Sequence, residues 1–263
     1  MRITGRARYD RRPVGAAEIV AIAAAGMAAG AINTLVGSGT LITFPVLLAF
    51  GYSPVTANVS NNVGLVPGSV AGAIGYRREL EGQRTHALRF ALASALGAIT
   101  GAVLLLVLPA AAFRAIVPAF IAIALVSVIF QPRLDRLVAK RRPPPDAHGT
   151  GLPRVGVYLA GVYGGYFGAA QGILLLAILG LALPDSLQRI NALKNVLAGV
   201  VNGVAAVIFI LVAHIAWAPA ALIAAGAVVG AQLAARYGRR LSADALRAVI
   251  VAVGIAAIVQ LMT

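Results

Sequence analysis

Apolar residues run through this chain in stretches of about 20, the length of a bilayer-spanning helix, and polar residues fall mostly between them. The long runs cover residues 16–36, 54–76, 88–108, 112–131, 187–212, 218–235 and 244–262. Shorter apolar pieces, 40–50, 155–168 and 173–183, border breaks in the pattern. The first run, AAEIVAIAAAGMAAGAINTLV, is rich in small residues that let helices approach closely, and its Gly26–Gly30 pair reads as ordinary packing. Glu18 stands near its start, where a carboxylate suits the positive end of the helix dipole. The runs 88–108 and 112–131 lack polar clusters and read as scaffold. Taken as one helix, residues 16–50 would be about 50 Å long against a bilayer core of roughly 30 Å. That segment must either cross fully with a tilt and a break or fold back as a re-entrant V.

The interruptions are concentrated between Gly37 and Gly75. Gly37-Ser38-Gly39, Pro45 and the turn Gly51-Tyr52-Ser53-Pro54 break the backbone, and Asn58, Ser60, Asn61 and Asn62 follow, before Pro67-Gly68. Uncharged polar groups and broken backbone are costly in hydrocarbon, where no water satisfies them, and persist where they line a cavity or face other protein. Moving 133 positions along the chain brings Gly39 onto Gly172, Ser53 onto Ser186, Asn58 onto Asn191, Asn62 onto Asn195, Ser38 onto Gln171 and Asn61 onto Lys194. The shared frame is a Gly-broken apolar run, a short turn, then Asn-x-x-x-Asn, which lies on one helical face. This reads as an internal duplication. Paired interrupted segments in two halves point to a transporter's binding site.

The expected fold is an all-α integral membrane protein of two homologous halves. Each half has a Gly-broken segment, re-entrant or fully crossing, and three further transmembrane helices. Residues 1–15 form a polar N-terminal tail and 16–131 the first membrane repeat. A basic, Pro-rich linker follows at 132–153, with Pro143-Pro144-Pro145 favouring an extended spacer, and 154–263 form the second repeat.

Composition agrees. The 263 residues are 60% hydrophobic and 11% charged, where soluble domains carry about 25% charged residues. The net charge of +14 sits in connecting segments, which suits orientation of spans and contact with anionic lipid headgroups rather than nucleic acid. There is no cysteine, so no disulfide, thiol nucleophile or cysteine metal site is expected, and the three histidines form no ligand pattern. The first apolar run is too long, and too poorly bounded, to read as a cleaved signal peptide. The positive-inside rule asks that loops 77–89, 132–154 and 236–247 and the N-terminal tail all be cytoplasmic, and they cannot all be. Fully crossing breaks give eight crossings and leave loop 236–247 outside. Re-entrant breaks give three crossings per half and inverted halves. All three loops are then inside and the tail outside, the slightly preferred scheme.

At GSGTLITFPVLL, ANVSNNVGLVPGSVAGAIGYRREL and QRINALKNVLAGVVN the chain resembles the TauE/SafE family of sulfite exporters and anion permeases, over nearly its whole length. The resemblance implies an inner-membrane, multi-pass permease for small anions such as sulfite, organosulfonates or small carboxylates. Gly37-Ser38-Gly39-Thr40 stands where the family commonly has a GxGGG run.

The candidate substrate-binding residues are Lys194, Asn195, Asn61, Asn62, Ser38, Gly39, Thr40, Gln171, Gly172, Asn58 and Asn191. An intramembrane lysine is expensive and usually functional. Its amine suits an anion or a transferable proton, whereas the bland alternative is snorkelling to the interface, a role better suited to Arg189. Asn61, Asn62 and Asn195 offer amide hydrogens to an anion, or else tie helices together. Asn58 and Asn191 pack the repeat interface or cap a helix start as alternatives. Ser38, Gly39 and Thr40 open a half-helix whose free N–H groups and dipole attract anions, with Gln171 and Gly172 at the matching break. Asn33 and Asn202 are secondary pocket candidates. No Walker-type loop, HExxH or GxSxG occurs, so a gradient-driven transporter is expected rather than an enzyme, with no cofactor or metal. A passive channel and a non-transporting assembly subunit are the alternatives. The partners expected are a small anion, the bilayer, a coupling proton or ion, and, as an assembly to be considered, a second copy in a homodimer.

Overall fold

A computed structural model describes residues 14–140, 151–238 and 243–262. Within them the chain forms ten helices and no strand. These are α1 (Ala16–Leu35), α2 (Thr40–Ala49), α3 (Pro54–Gly75), α4 (Arg84–Val107), α5 (Ala110–Lys140), α6 (Leu152–Tyr166), α7 (Gln171–Ala182), α8 (Leu187–Val212), α9 (Trp217–Tyr237) and α10 (Ala243–Met262). Five of them, α1, α4, α5 to Leu134, α8 and α9, are long and apolar enough to cross a bilayer. α3 and α10 have comparable lengths of 22 and 20 residues. The starts of α3, α4 and α5 recur 133 residues later as the starts of α8, α9 and α10.

Three expectations are corrected. Residues 132–140, expected as linker, continue α5 through Pro118 and Pro132. A proline removes one backbone donor, and packed neighbours in a membrane protein tolerate that. Arg84 and Arg89, expected in a loop, belong to α4. The helix-start caps are Ser53 and Ser186, not Asn58 and Asn191. The Ser53 hydroxyl accepts from the Thr56 N–H at 3.3 Å and the Ser186 hydroxyl from the Arg189 N–H at 3.4 Å. The expectations for the tail at 1–13, the triple proline within 141–150, and Arg239 and Arg240 lie outside the described residues.

The first broken segment folds back. Gly39, at the start of α2, lies against α1 at Ala29, where a Cβ on it would meet the Ala29 carbonyl oxygen at 2.5 Å. Tyr52, just past α2, donates from its hydroxyl to Glu18 at the start of α1 at 2.9 Å. α2 therefore returns from the depth of Ala29 to the level where α1 began, and α3 then crosses beside α1, with Gly72 against Thr34. α8 runs the opposite way to α3. Its first turns meet Thr34, Asn202 bonds Ser69, and the Ala216 N–H beyond its end reaches the Ser60 hydroxyl at 2.9 Å. α2 thus folds back along α1, the path that the re-entrant scheme expects of the first break. The loop carrying Arg77 and Arg78, the end of α5, the start of α6 and the end of α9 lie at one face, and Glu18 lies at the other.

Two seams of small residues fix this arrangement. Gly26 and Gly30 of α1 lie against Ile223 and Ala227 of α9, and Gly97 and Gly101 of α4 against Gly161 and Val162 of α6. Within each seam the numbers rise together, so the paired helices run parallel. Close approach of this kind maximises dispersion contacts in a solvent where burial alone drives little. An aromatic cluster closes the centre, with Phe44 edge-on to Phe167 at 5.2 Å and Phe120 edge-on to Tyr163 at 5.3 Å.

Candidate functional site

The two backbone breaks meet. Gly37 turns with φ +90, and Gly168 and Ala170 with φ of +79 and 59, left-handed values that end one helix and re-aim the chain into the next. The Gly172 N–H donates to the Gly37 carbonyl at 3.0 Å. A Cβ on Gly172 would lie 2.4 Å from Gly37 Cα, so the close approach requires glycine at both positions. Beside this contact stand Ser38 and Gln171, 0% and 3% exposed. Among the described residues the Ser38 Oγ and the Gln171 Nε2 have no hydrogen-bond partner. Buried polar groups are nearly always paired, so unpaired ones at a helix break call for a partner such as an ordered water or a bound group. The half-helices α2 and α7 both begin here, at Thr40 and Gln171, and bring the positive dipole end of a helix start, although the first N–H groups of α7 are taken up by the Gly168, Gly37 and Ala170 carbonyls.

Each broken helix is closed by the other half. The Asn58 amide of α3 donates to the Tyr166 carbonyl at the end of α6 at 2.9 Å. Its counterpart Asn191 of α8 donates to the Thr34 carbonyl at the end of α1 at 3.3 Å. Asn195 joins it on the same oxygen at 3.3 Å. The last carbonyls of a helix lack internal partners, and these amides supply them. Thus Asn58 and Asn191 cap helix ends across the two halves.

Lys194 is 0% exposed and does not snorkel. Its Nζ donates to the carbonyls of Asn33 at 3.0 Å and Thr34 at 3.3 Å. A cation at a helix C-terminus is favoured by the dipole. An ammonium has three donors, and these two bonds leave one hydrogen uncommitted. Arg189 is paired at the surface with Asp185 at 2.8 Å.

The remaining amides serve different purposes. Asn61 donates to the Thr40 hydroxyl at 3.2 Å and accepts from Thr43, tying α2 to α3. Asn62 donates to Asn202 at 3.4 Å, Asn202 donates to the Ser69 hydroxyl at 3.1 Å, and the Asn62 Oδ1 is buried without a partner. Gly39 precedes Thr40 as the N-cap of α2, packed near the Asn33 side chain. Sequence reading missed Thr34, Tyr166 and Thr43. Thr34 and Tyr166 act through backbone carbonyls, which no residue type announces. Thr40 and Thr43, three apart on an apolar half-helix, were a legible polar face. A cavity of about 130 Å³ on the Arg-bearing face is lined by Leu35, Tyr76, Gln131, Leu176, Leu187, Gln188 and Asn191. The buried Asn191 Oδ1 and Gln131 Oε1 are both unpaired.

Comparison with known proteins bears on what such a constellation does. The profile of the family described as "Sulfite exporter TauE/SafE" matches residues 22–261. The "Probable membrane transporter protein ORF9" of Sinorhizobium sp is 30% identical over 240 residues, covering 90% of each chain. The "Probable membrane transporter protein YfcA" of Escherichia coli (strain K12) is 26% identical over 211 residues, 80% of this chain and 77% of that one. A "Probable membrane transporter protein" of Haemophilus influenzae is also 26% identical over 211 residues, 80% of this chain and 81% of that one. No solved structure matches the chain. A profile match across nearly the whole chain, on a bundle of apolar helices, makes this multi-pass membrane protein a member of the sulfite exporter TauE/SafE family of transporters.

Proposed function

We propose that the chain is a secondary permease for a small anion, such as sulfite, an organosulfonate or a small carboxylate, working by alternating access between two duplicated, inverted halves. The observation that carries this is the meeting of the two breaks at Gly37 and Gly172, with the unpaired Ser38 hydroxyl and Gln171 amide beside it. Both are donors, as an anion requires, and both stand at helix starts whose dipoles favour negative charge.

In this reading Ser38, Gly39 and Thr40 on one side and Gln171 and Gly172 on the other form an anion cradle. Lys194, held by the end of α1, turns its third hydrogen toward the anion and supplies the positive charge. Asn62 completes the polar wall through the α3–α8 contact. Asn58, Asn191 and Asn195 are positioning residues, because their amides are committed to helix ends in the other half. Rocking of the halves would exchange these bonds. In this reading the anion would enter by the cavity at Asn191, on the Arg-bearing face. Transport against a gradient would draw on a coupled proton or ion.

The test is flux of sulfite, a sulfonate and small carboxylates into proteoliposomes with an imposed gradient. Lys194→Met removes the charge and nearly keeps the volume, and Asn191 and Asn195 still serve the Thr34 carbonyl. The Asn33 carbonyl loses its Lys194 donor, at a cost of about 1–3 kcal/mol, so the variant should fold with a lowered thermal midpoint. Its anion flux should be lost. Undiminished flux in both Lys194→Met and Gln171→Ala, with folding retained, rejects the site. Flux that ignores every imposed gradient makes the same pore a passive channel.

A further inference from the structure

A second, larger cavity of about 760 Å³ lies away from the breaks, between the ends of α3 and α9 on the Arg-bearing face. Arg77, Arg78 and Arg236 line it, with Glu79 as the only acidic residue in its wall among the described residues. All three arginines are exposed. Arg77 is steadied by a bond from its Nη1 to the Ile74 carbonyl at 3.4 Å. Val70 and Ile74, 49% and 55% exposed, line it away from the arginines, with Gln232 as a polar neighbour. Charge at the rim over an open apolar wall matches a molecule with an anionic head and a hydrocarbon body.

We propose that this cavity binds an anionic phospholipid, its phosphodiester held by Arg77, Arg78 and Arg236 and its acyl chain laid along Val70 and Ile74. Guanidinium groups suit the headgroup because their planar fork can donate to two phosphate oxygens at once. Arg77 follows the end of α3 and Arg236 lies in the last turn of α9, so the lipid would bridge the ends of two packed helices. Free inorganic phosphate shares the headgroup chemistry but makes no use of the apolar wall. The proposal is independent of which anion the transporter carries.

The 263-residue sequence has no cysteine, so Val70→Cys gives a single fluorophore site in nanodiscs of phosphatidylcholine doped with phosphatidylglycerol. Leu88→Cys, 73% exposed near the start of α4 and absent from the lining, is the control for general attraction to a basic protein. Nitroxide-labelled phosphatidylglycerol should be enriched over nitroxide-labelled phosphatidylcholine at Val70 by at least about five-fold relative to Leu88. That is the enrichment one arginine near an anionic surface supplies. Arg77→Gln/Arg78→Gln/Arg236→Gln should bring Val70 down to the Leu88 value. Equal enrichment at the two positions in the native background, a comparison needing no arginine variant, overturns the proposal. So does abolition of the Val70 signal by millimolar inorganic phosphate, which would make this a free-anion site.

Discussion

Asn58 of α3 and Asn191 of α8 each bond a main-chain carbonyl at the end of another helix, yet their loss should cost different amounts. Asn58 is the side chain bonded to the Tyr166 carbonyl, whereas the Thr34 carbonyl takes Asn191, Asn195 and Lys194 together. Asn58→Ala leaves a buried acceptor unpaired, at a cost of about 1–3 kcal/mol. Asn191→Ala leaves two donors behind and should cost less. Thermal midpoints of the purified variants check the order, and equal falls would count against it. Ala170 is a second residue-scale case. It is buried with φ 59 at the position matched to Gly37, and a non-glycine residue there is strained by about 1–2 kcal/mol. Ala170→Gly should therefore hold or raise the midpoint, although glycine in most other places lowers it.

Among the helices, the α1–α9 and α4–α6 seams should tolerate no added carbon. A Cβ on Gly230 would lie 1.9 Å from the Met27 carbonyl oxygen, and one on Gly101 2.1 Å from that of Val162. These are backbone atoms, so relief requires whole helices to separate. Gly230→Ala and Gly101→Ala should sharply reduce the yield of monodisperse protein on size-exclusion chromatography. Gly203 of α8 has nothing within 4 Å of such a carbon, and Gly203→Ala should behave as the native chain does. Similar behaviour of all three would mean that the seams are looser than the backbone distances imply.

For the molecule as a whole, the re-entrant path fixes which loops share a side. The loop carrying Arg77 and Arg78 and the turn Pro184-Asp185-Ser186 lie at one face, and Glu18, Pro109 and Ala213 lie at the other. Net positive loops remain cytoplasmic, so Arg78→Cys and Asp185→Cys should react with an impermeant maleimide only from the cytoplasm. Ala213→Cys and Pro109→Cys should react from outside in intact cells, and the native absence of cysteine keeps the background clean. Labelling of Arg78→Cys and Ala213→Cys from the same side would contradict the inverted arrangement.

Much of this was written along the chain. Apolar runs set the number and order of helices, because a bilayer core admits only segments that bond their own backbone. Gly37-Ser38-Gly39 and Ala169-Ala170-Gln171-Gly172 marked places where the coordinates end one helix and begin the next, while the 133-residue frame that pairs Asn58 with Asn191 and Ser38 with Gln171 is a reading of the sequence. The boundary at residue 132 was misread because a basic, proline-bearing stretch resembles a linker, while packing and solvated charge let α5 run on to Lys140. Only the fold chose between a crossing and a returning α2, since both place the same residues in the same order and differ in one turn of backbone. Only the fold showed that Lys194 rests on the end of α1, because its acceptors are main-chain oxygens, which every residue carries and no side chain reveals.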